Sequence, residues 1–290
     1  MIHVCYSANN YYFKFQIITH NEIQFIKYEK NMKDINDLIK LKKVVYTILL
    51  GNYDNVHPIM REKGYDYFMI TDQFFEKKTI NNWTIINVDK NRKYKNRIDK
   101  IKRQRFYKTH PHLFFKNYDL SIYVDATFRI KGNLNEFLIR ILTPRLSIYL
   151  LEHPNRCKIN NEFNSCISLG KDSKNNIIPI KNRYNKEGFP DNNGLAETCL
   201  IIRKHNKLNV IRFMESWFNE IKKYSHRDQL SFNYILWKSK DKLVKYISKK
   251  IIGKYFKQYK KHLTIYSFKN DSYSYISPFY NRKKTITKYV

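Results

Sequence analysis

The sequence predicts an α/β fold, carried by a single domain with a basic C-terminal extension. Three observations predict it. Short apolar runs rich in β-branched and aromatic residues recur, and each closes on a polar residue: Val44–Leu50 before Gly51, Tyr67–Ile70 before Thr71 and Asp72, Trp83–Val88 before Asp89, and Leu120–Val124 before Asp125. Such runs read as strands buried on both faces, as parallel strands are. Between the third and fourth lies a helix-like basic segment at about 94–108, giving the strand and helix alternation of a nucleotide-binding half. At 290 residues with 42% hydrophobic and 16% aromatic residues, the chain has enough material for a packed core.

In chain order, residues 1–40 read as an irregular, partly stranded preface, residues 41–240 as the α/β domain and residues 241–290 as the basic, aromatic-rich extension. Gly51 closes the first core strand because glycine permits a tight turn and close backbone approach. Ser147–Leu151 reads as another strand, and the polar stretch 170–194, with Gly188, Pro190 and Gly194, as a surface loop. Leu200–Arg203 reads as a strand. Ile211, Met214, Trp217, Phe218 and Ile221 fall at helical spacing and form a core stripe. His226-Arg227-Asp228-Gln229 then opens a second helix carrying Leu230, Phe232, Tyr234, Ile235 and Trp237.

The net charge of +30 invites a nucleic-acid or anionic partner. A second cause competes: alanine occurs three times and glycine seven, while Lys, Asn, Ile, Tyr and Phe abound, the usage that AT-rich codons impose. Between 241 and 290 stand 13 Lys or Arg against 2 Asp. The basic residues are otherwise spread through the chain without zinc-finger spacing, an RNP-like signature or basic heptads, so no specific nucleic-acid partner is expected. A non-enzymatic nucleic-acid-binding protein, its tyrosines stacking on bases, is the alternative from another class. Cys5, Cys157, Cys166 and Cys199 form no C-x-x-C pair and read as reduced thiols. Without a signal-peptide pattern or an apolar run near the roughly 20 residues of a membrane span, a soluble, cytoplasmic protein is expected. The oligomeric state is open.

Asp125 carries the functional reading. A carboxylate where a core strand emerges sits at the carboxyl edge of the sheet, where α/β folds bind ligands. One carboxylate there suits a divalent metal or a ribose hydroxyl, which points to a nucleotide-sugar enzyme. Capping of the next turn is the plainer role open to the same side chain.

The serial motifs YTILLGNYD (46–54), DYFMITD (66–72), FYKTHPHLFF (106–115), YVDA (123–126), EHPNRCKINNE (152–162), GLAETCLIIRKHN (194–206) and RDQLSF (227–232) resemble a glycosyltransferase-like family catalogued as domain of unknown function 616. The resemblance spans about residues 44–237. It implies a GT-A-like fold, a Rossmann-type mixed sheet flanked by helices, with a nucleotide-diphosphate sugar as donor, a hydroxyl acceptor on a glycan, polysaccharide or glycoprotein, and Mn²⁺ or Mg²⁺ as cofactor. The usual D-x-D of that fold is Asp125-Ala126-Thr127 here. Asp125 is then the metal ligand, with His153 and His226 (and His205) as candidates for further ligands, because hard cations collect several ligands and take the rest from diphosphate and water. A degenerate transferase fold used only for binding is the third reading that the incomplete motif leaves.

Asp228-Gln229 is similar to the Asp-Gln helix start of glycogenin-like transferases, which implies that both line the donor-sugar pocket; a simple helix N-cap is the plain alternative for Asp228. Asp228 and Glu197 are the catalytic candidates. Donor-binding candidates are Asn52, Tyr53, Asp72, Arg103, Lys108, Asp125, Thr127, Arg156, Arg227 and Gln229. The Arg and Lys members have the donors that a diphosphate needs, and Arg105 lies on the same helix as two of them. Inversion or retention, the sugar and the base are left open.

Overall fold

A computed structural model describes residues 3–8, 11–19, 22–28, 32–51 and 56–258. The chain divides into two compact units at Leu41/Lys42. In the first, β1 (His3–Ala8), β2 (Tyr11–Thr19) and β3 (Glu22–Tyr28) form an antiparallel sheet in the order β1-β2-β3, and α1 spans Met32–Lys40. This meander replaces the irregular preface expected there.

In the second unit come β4 (Lys43–Leu49), β5 (Tyr65–Thr71), β6 (Thr79–Ile80), β7 (Trp83–Asn87), α2 (Arg97–Thr109), α3 (Pro111–Phe114), β8 (Leu120–Val124), β9 (Phe128–Ile130) and α4 (Leu134–Ile141). There follow β10 (Ile148–Glu152), α5 (Ile159–Ser168), α6 (Lys174–Lys186), β11 (Ala196–Arg203), α7 (Leu208–Lys223), α8 (Gln229–Ser239), β12 (Val244–Ile247), α9 (Lys249–Tyr255) and β13 (Phe256–Gln258). Eight strands make a mixed sheet in the order β12-β10-β11-β8-β4-β5-β7-β6, and β13 pairs with β9.

Strand β4 is buried along its whole length because it has parallel partners on both sides, β5 and β8. From β4 the chain steps through β5 to β7, then returns by α2 to place β8 on β4's other side. The chain therefore leaves the carboxyl ends of β4 and β8 toward opposite sides of the sheet, and such a reversal of strand order is where α/β sheets form a crevice. Strand β11 enters antiparallel to β8 and β10, and β12 runs parallel to β10. The start of β11 and the ends of β10 and β12 thus reach the same edge as Gly51, Asp72 and Asp125. The β10–β11 register jumps from Leu150↔Ile201 to Leu151↔Glu197. This bulge takes in Thr198 and redirects it, as bulges beside sites do.

The 170–194 stretch is not a loop. Ile177, Ile180 and Tyr184 are buried at helical spacing along α6, and Ser173 caps it by accepting from the Asn176 N–H. Tyr184 stacks on Tyr234 of α8 with centroids 3.8 Å apart. The exposed Pro179 sits within α6, so one helix hydrogen bond is missing on its solvent side. Tertiary burial of three side chains outweighs the polar composition.

Fully buried Arg203 fixes the end of α2. Its guanidinium donates to the Lys108 carbonyl at 2.7 Å and to the Tyr46 hydroxyl, which itself donates to the Lys108 carbonyl at 3.0 Å. A cation against the carbonyl end of a helix is stabilised by the helix dipole.

Candidate active site

The crevice begins as a shallow, solvent-open hollow of about 520 Å³ lined by Gly51, Asp72, Gln73, Phe74 and Lys100. Asp72 Oδ1 accepts from the Gly51 N–H at 2.7 Å, and Gln73 Nε2 donates to the Gly51 carbonyl at 2.6 Å. Gly51 adopts φ +77°, and Lys100 Nζ lies 2.8 Å from where a Cβ would stand. Glycine is favoured there because φ +77° is a backbone conformation that side-chain-bearing residues rarely adopt. Phe74 is 79% exposed at the rim. Asn52 and Tyr53 lie outside the described residues.

Deeper in the crevice, α2, β8, β11 and the start of α8 converge on a buried ionic cluster. Lys108 Nζ donates to Asp228 Oδ2 at 2.6 Å and to Thr198 Oγ1 at 3.2 Å. Thr198 in turn donates to Asp228 Oδ2 at 2.9 Å, and Arg105 Nη2 stands 3.4 Å from Asp228 Oδ1. Burial alone would raise the Asp228 pKa; the charges of Arg105 and Lys108 outweigh it and hold the carboxyl well below the ordinary carboxylate range. Asp228 occupies the N-cap position of α8 with helical dihedrals and no side-chain cap bond, so its carboxylate serves the cations rather than the helix.

This cluster is linked to Asp125. Arg105 Nη1 donates to Gln104 Oε1 at 2.6 Å, Gln104 Nε2 donates to the Tyr123 hydroxyl at 2.9 Å, and that hydroxyl donates to Asp125 Oδ1. The Asp125 backbone is fixed by its N–H to the Cys199 carbonyl at 2.8 Å, and a turn through Thr127 closes with Phe128 N–H to the Asp125 carbonyl at 2.9 Å.

Other candidates are held by local partners. Arg103 forms a two-pronged pair with Asp89, both contacts 2.9 Å, and donates to the Tyr107 hydroxyl. Glu197 pairs with Lys249 at 2.8 Å, where α9 follows β12. Arg227 donates to Gln229 Oε1 at 3.2 Å, and Gln229 Nε2 to the Ala196 carbonyl at 3.4 Å. Arg156 donates to buried Glu162 at 2.6 Å, and His153 Nδ1 accepts the Asn155 and Arg156 N–H groups. His226 Nδ1 lies 3.4 Å from Asp172. Burial lowers the pKa of both histidines. Among the described residues no three His, Cys, Asp or Glu side chains gather as a metal cage. The structure thus brings together Lys108, Asp228 and, through Gln104 and Tyr123, Asp125, while His153 and His226 sit with other partners.

Gln73, Phe74, Lys100, Gln104, Tyr123, Thr198 and Lys249 belong to this edge without having been candidates from the sequence. Tyr123 and Thr198 did stand inside the YVDA and GLAETC motifs; the others carried no local signal.

Residues 28–262 match the family described as "TOD1/MUCI70, glycosyltransferase-like domain". The chain belongs to this family. Over 133 residues it is 25% identical to "Probable hexosyltransferase MUCI70" of Arabidopsis thaliana, covering 43% of the chain and 23% of that protein, so it spans about a quarter of the relative's length. Among solved structures it is similar to a WbbM bifunctional glycosyltransferase in its apo form (TM-score 0.43, 13% identity, 72% of this chain and 39% of that one). It is also similar to apo mouse xyloside xylosyltransferase 1 (TM-score 0.41, 11% identity, 71% and 85%). No helix among the described residues is long and apolar enough to cross a membrane.

Proposed function

We propose that this glycosyltransferase-like domain is an active GT-A-type enzyme that moves a sugar from a nucleotide-diphosphate sugar to a hydroxyl acceptor on a glycan or glycoprotein. The observation that carries the reading is that the hollow at Gly51, Asp72 and Lys100, the Asp125 carboxylate and the Asp228 cluster gather at the carboxyl edge of one sheet around its strand-order reversal. The nucleoside occupies the cavity: Asp72 is an acceptor for ribose or base donors, and exposed Phe74 offers a stacking face. The diphosphate lies toward Asp125, and the sugar lies against Gln229, Glu197 and the cluster of Asp228, Lys108 and Thr198.

Asp125 supplies one carboxylate with Oδ1 engaged by Tyr123. That donor set fits a hard cation carried in on the diphosphate, since Mg²⁺ is commonly held by one or two carboxylates together with substrate phosphates. Such a Mn²⁺ or Mg²⁺ ion, when bound, would neutralise charge on the leaving phosphate. The chain's own contribution is positional. Lys108 and Arg105 hold Asp228 ionised and fixed, so it anchors the two cations beside the sugar rather than taking up a proton. Glu197 is the candidate general base, its charge steadied by Lys249.

The test is calorimetry with UDP- and GDP-linked sugars in Mn²⁺ and in chelator. Donor binding strengthened by Mn²⁺ is expected; failure of every common donor to bind in either condition would refute the transferase reading.

A further inference from the structure

Asp125 and Asp228 are not independent. Between them runs an unbroken chain of side-chain contacts: Asp228 to Arg105 at 3.4 Å, Arg105 to Gln104 at 2.6 Å, Gln104 to Tyr123 at 2.9 Å, and Tyr123 to Asp125. Gln104 and Tyr123 are buried, so water does not substitute for either contact. Gln104 has only one arrangement that satisfies both neighbours: the guanidinium can only donate, so the amide oxygen must face Arg105 and the NH₂ must face Tyr123. With the amide donating to it, the phenol has its single proton left for Asp125. The direction of every hydrogen bond in the chain is therefore set by the donor-only Arg105 guanidinium at one end, which stands against Asp228, and by the accepting Asp125 carboxylate at the other.

We infer that Gln104 is a positioning residue for the donor diphosphate: it relays the orientation of the Asp228–Arg105 pair through Tyr123, locking the Asp125 carboxylate in one rotamer with a single oxygen turned to the crevice. The inference rests on the transferase reading above. It assigns functional weight to two residues that touch no substrate, and it explains why the carboxylate follows a buried tyrosine on β8. A carboxylate with one oxygen tied presents a defined single-oxygen contact to a phosphate-bound cation or a ribose. An untied one would sample several rotamers, and the cost of ordering it would come out of the binding energy.

The test measures UMP and UDP, or GMP and GDP, by calorimetry in Mn²⁺ with the full chain and with Tyr123→Phe, Gln104→Leu, Gln104→Glu and the Tyr123→Phe/Gln104→Leu double variant. Because the nucleoside cavity at Asp72 and Lys100 lies outside the relay, monophosphate affinity should stay within about twofold. Diphosphate affinity should fall about tenfold for each single variant, the scale of one lost charge-assisted hydrogen bond. Residues acting in one chain couple, so the double variant should fall by the same tenfold and not by about a hundredfold. Gln104→Glu should be the most damaging single change, because its carboxylate accepts the Tyr123 proton and turns the phenol away from Asp125. Equal losses for mono- and diphosphate would mark general structural damage and overturn the inference, as would additive losses or unchanged diphosphate affinity. Should the Gln104 variants fail to fold, Tyr123→Phe alone decides, since it removes one oxygen: unchanged diphosphate binding sinks the relay. A wild-type chain that binds no nucleotide at all removes the transferase reading and the inference with it, an outcome distinct from the others.

Discussion

Replacing Asp228 with Asn removes the only carboxylate contacting Lys108 and Arg105 among the described residues, while keeping the shape of the side chain. The Lys108 and Asp228 side chains are 1% and 4% exposed and their atoms are 2.6 Å apart. Losing one partner of a buried pair leaves the other charge without compensation, at about 3–5 kcal/mol. Asp228→Asn should therefore lower unfolding stability by about that amount, and Lys108→Met should do likewise. Combining Asp228→Leu with Lys108→Met should recover part of the loss, because no unpaired lysine remains buried. Urea titration followed by tryptophan fluorescence suits the measurement, since Trp217 Nε1 donates to the Asp228 carbonyl at 3.1 Å. The pH dependence has a definite sign. The Asp228 carboxyl titrates below its unfolded value of about 4, so its contribution is present above pH 4 and is lost as pH falls below it. The Asn variant should show a flatter acid limb. A loss below about 1 kcal/mol with an unchanged acid limb would mean that the cluster is not formed in solution, and the site built around it would fall.

Asp125→Asn should fold normally, weaken Mn²⁺-supported donor binding and cut transfer at least about 100-fold, the scale of a lost electrostatic contribution; wild-type turnover would remove it from the site. Gly51→Ala should displace Lys100 from its 2.8 Å approach and strain the φ +77° turn, costing about 1 kcal/mol and reducing nucleotide affinity; melting curves and calorimetry check both, and intact affinity would argue against the nucleoside cavity. Burial, first of all, lowers the His205 pKa to about 4, against about 6.5 in an unfolded chain. Between those values the unfolded state takes the proton and the folded state does not, so stability should fall as pH drops from 6.5 to 4, by up to about 3 kcal/mol. His205→Asn should flatten that slope, and an unchanged slope in urea midpoints would contradict the buried neutral ring.

The strands were legible wherever a short apolar run ended on a polar residue: β4 and β8 are buried along their whole length, which writes itself into composition, while β5 and β7 were visible the same way although parts of both are exposed. Helix α7 was visible through its stripe. Helix α6 was not, because three buried side chains among polar neighbours leave too faint a period, and only the packing of Tyr184 on Tyr234 gives them their weight. Of the site, the sequence singled out Asp125, Asp72 and Asp228, since a carboxylate at a strand end or helix start is a local pattern.

The sequence by itself determined the α/β class, the strand that delivers Asp125 and the run of motifs that marks the chain as glycosyltransferase-like. Which charges meet was decided only by tertiary structure. Lys108 and Asp228 are 120 residues apart, and Thr198 is 90 from Lys108. Their meeting depends on α2 returning across the sheet and on the β11 bulge at Thr198. The Gln104 amide takes its direction from Arg105, its neighbour on α2, and from the Tyr123 phenol of β8; that Arg105 stands against Asp228 at the start of α8 was decided by the fold. A residue's type fixes what it can donate or accept; only the fold fixes to whom.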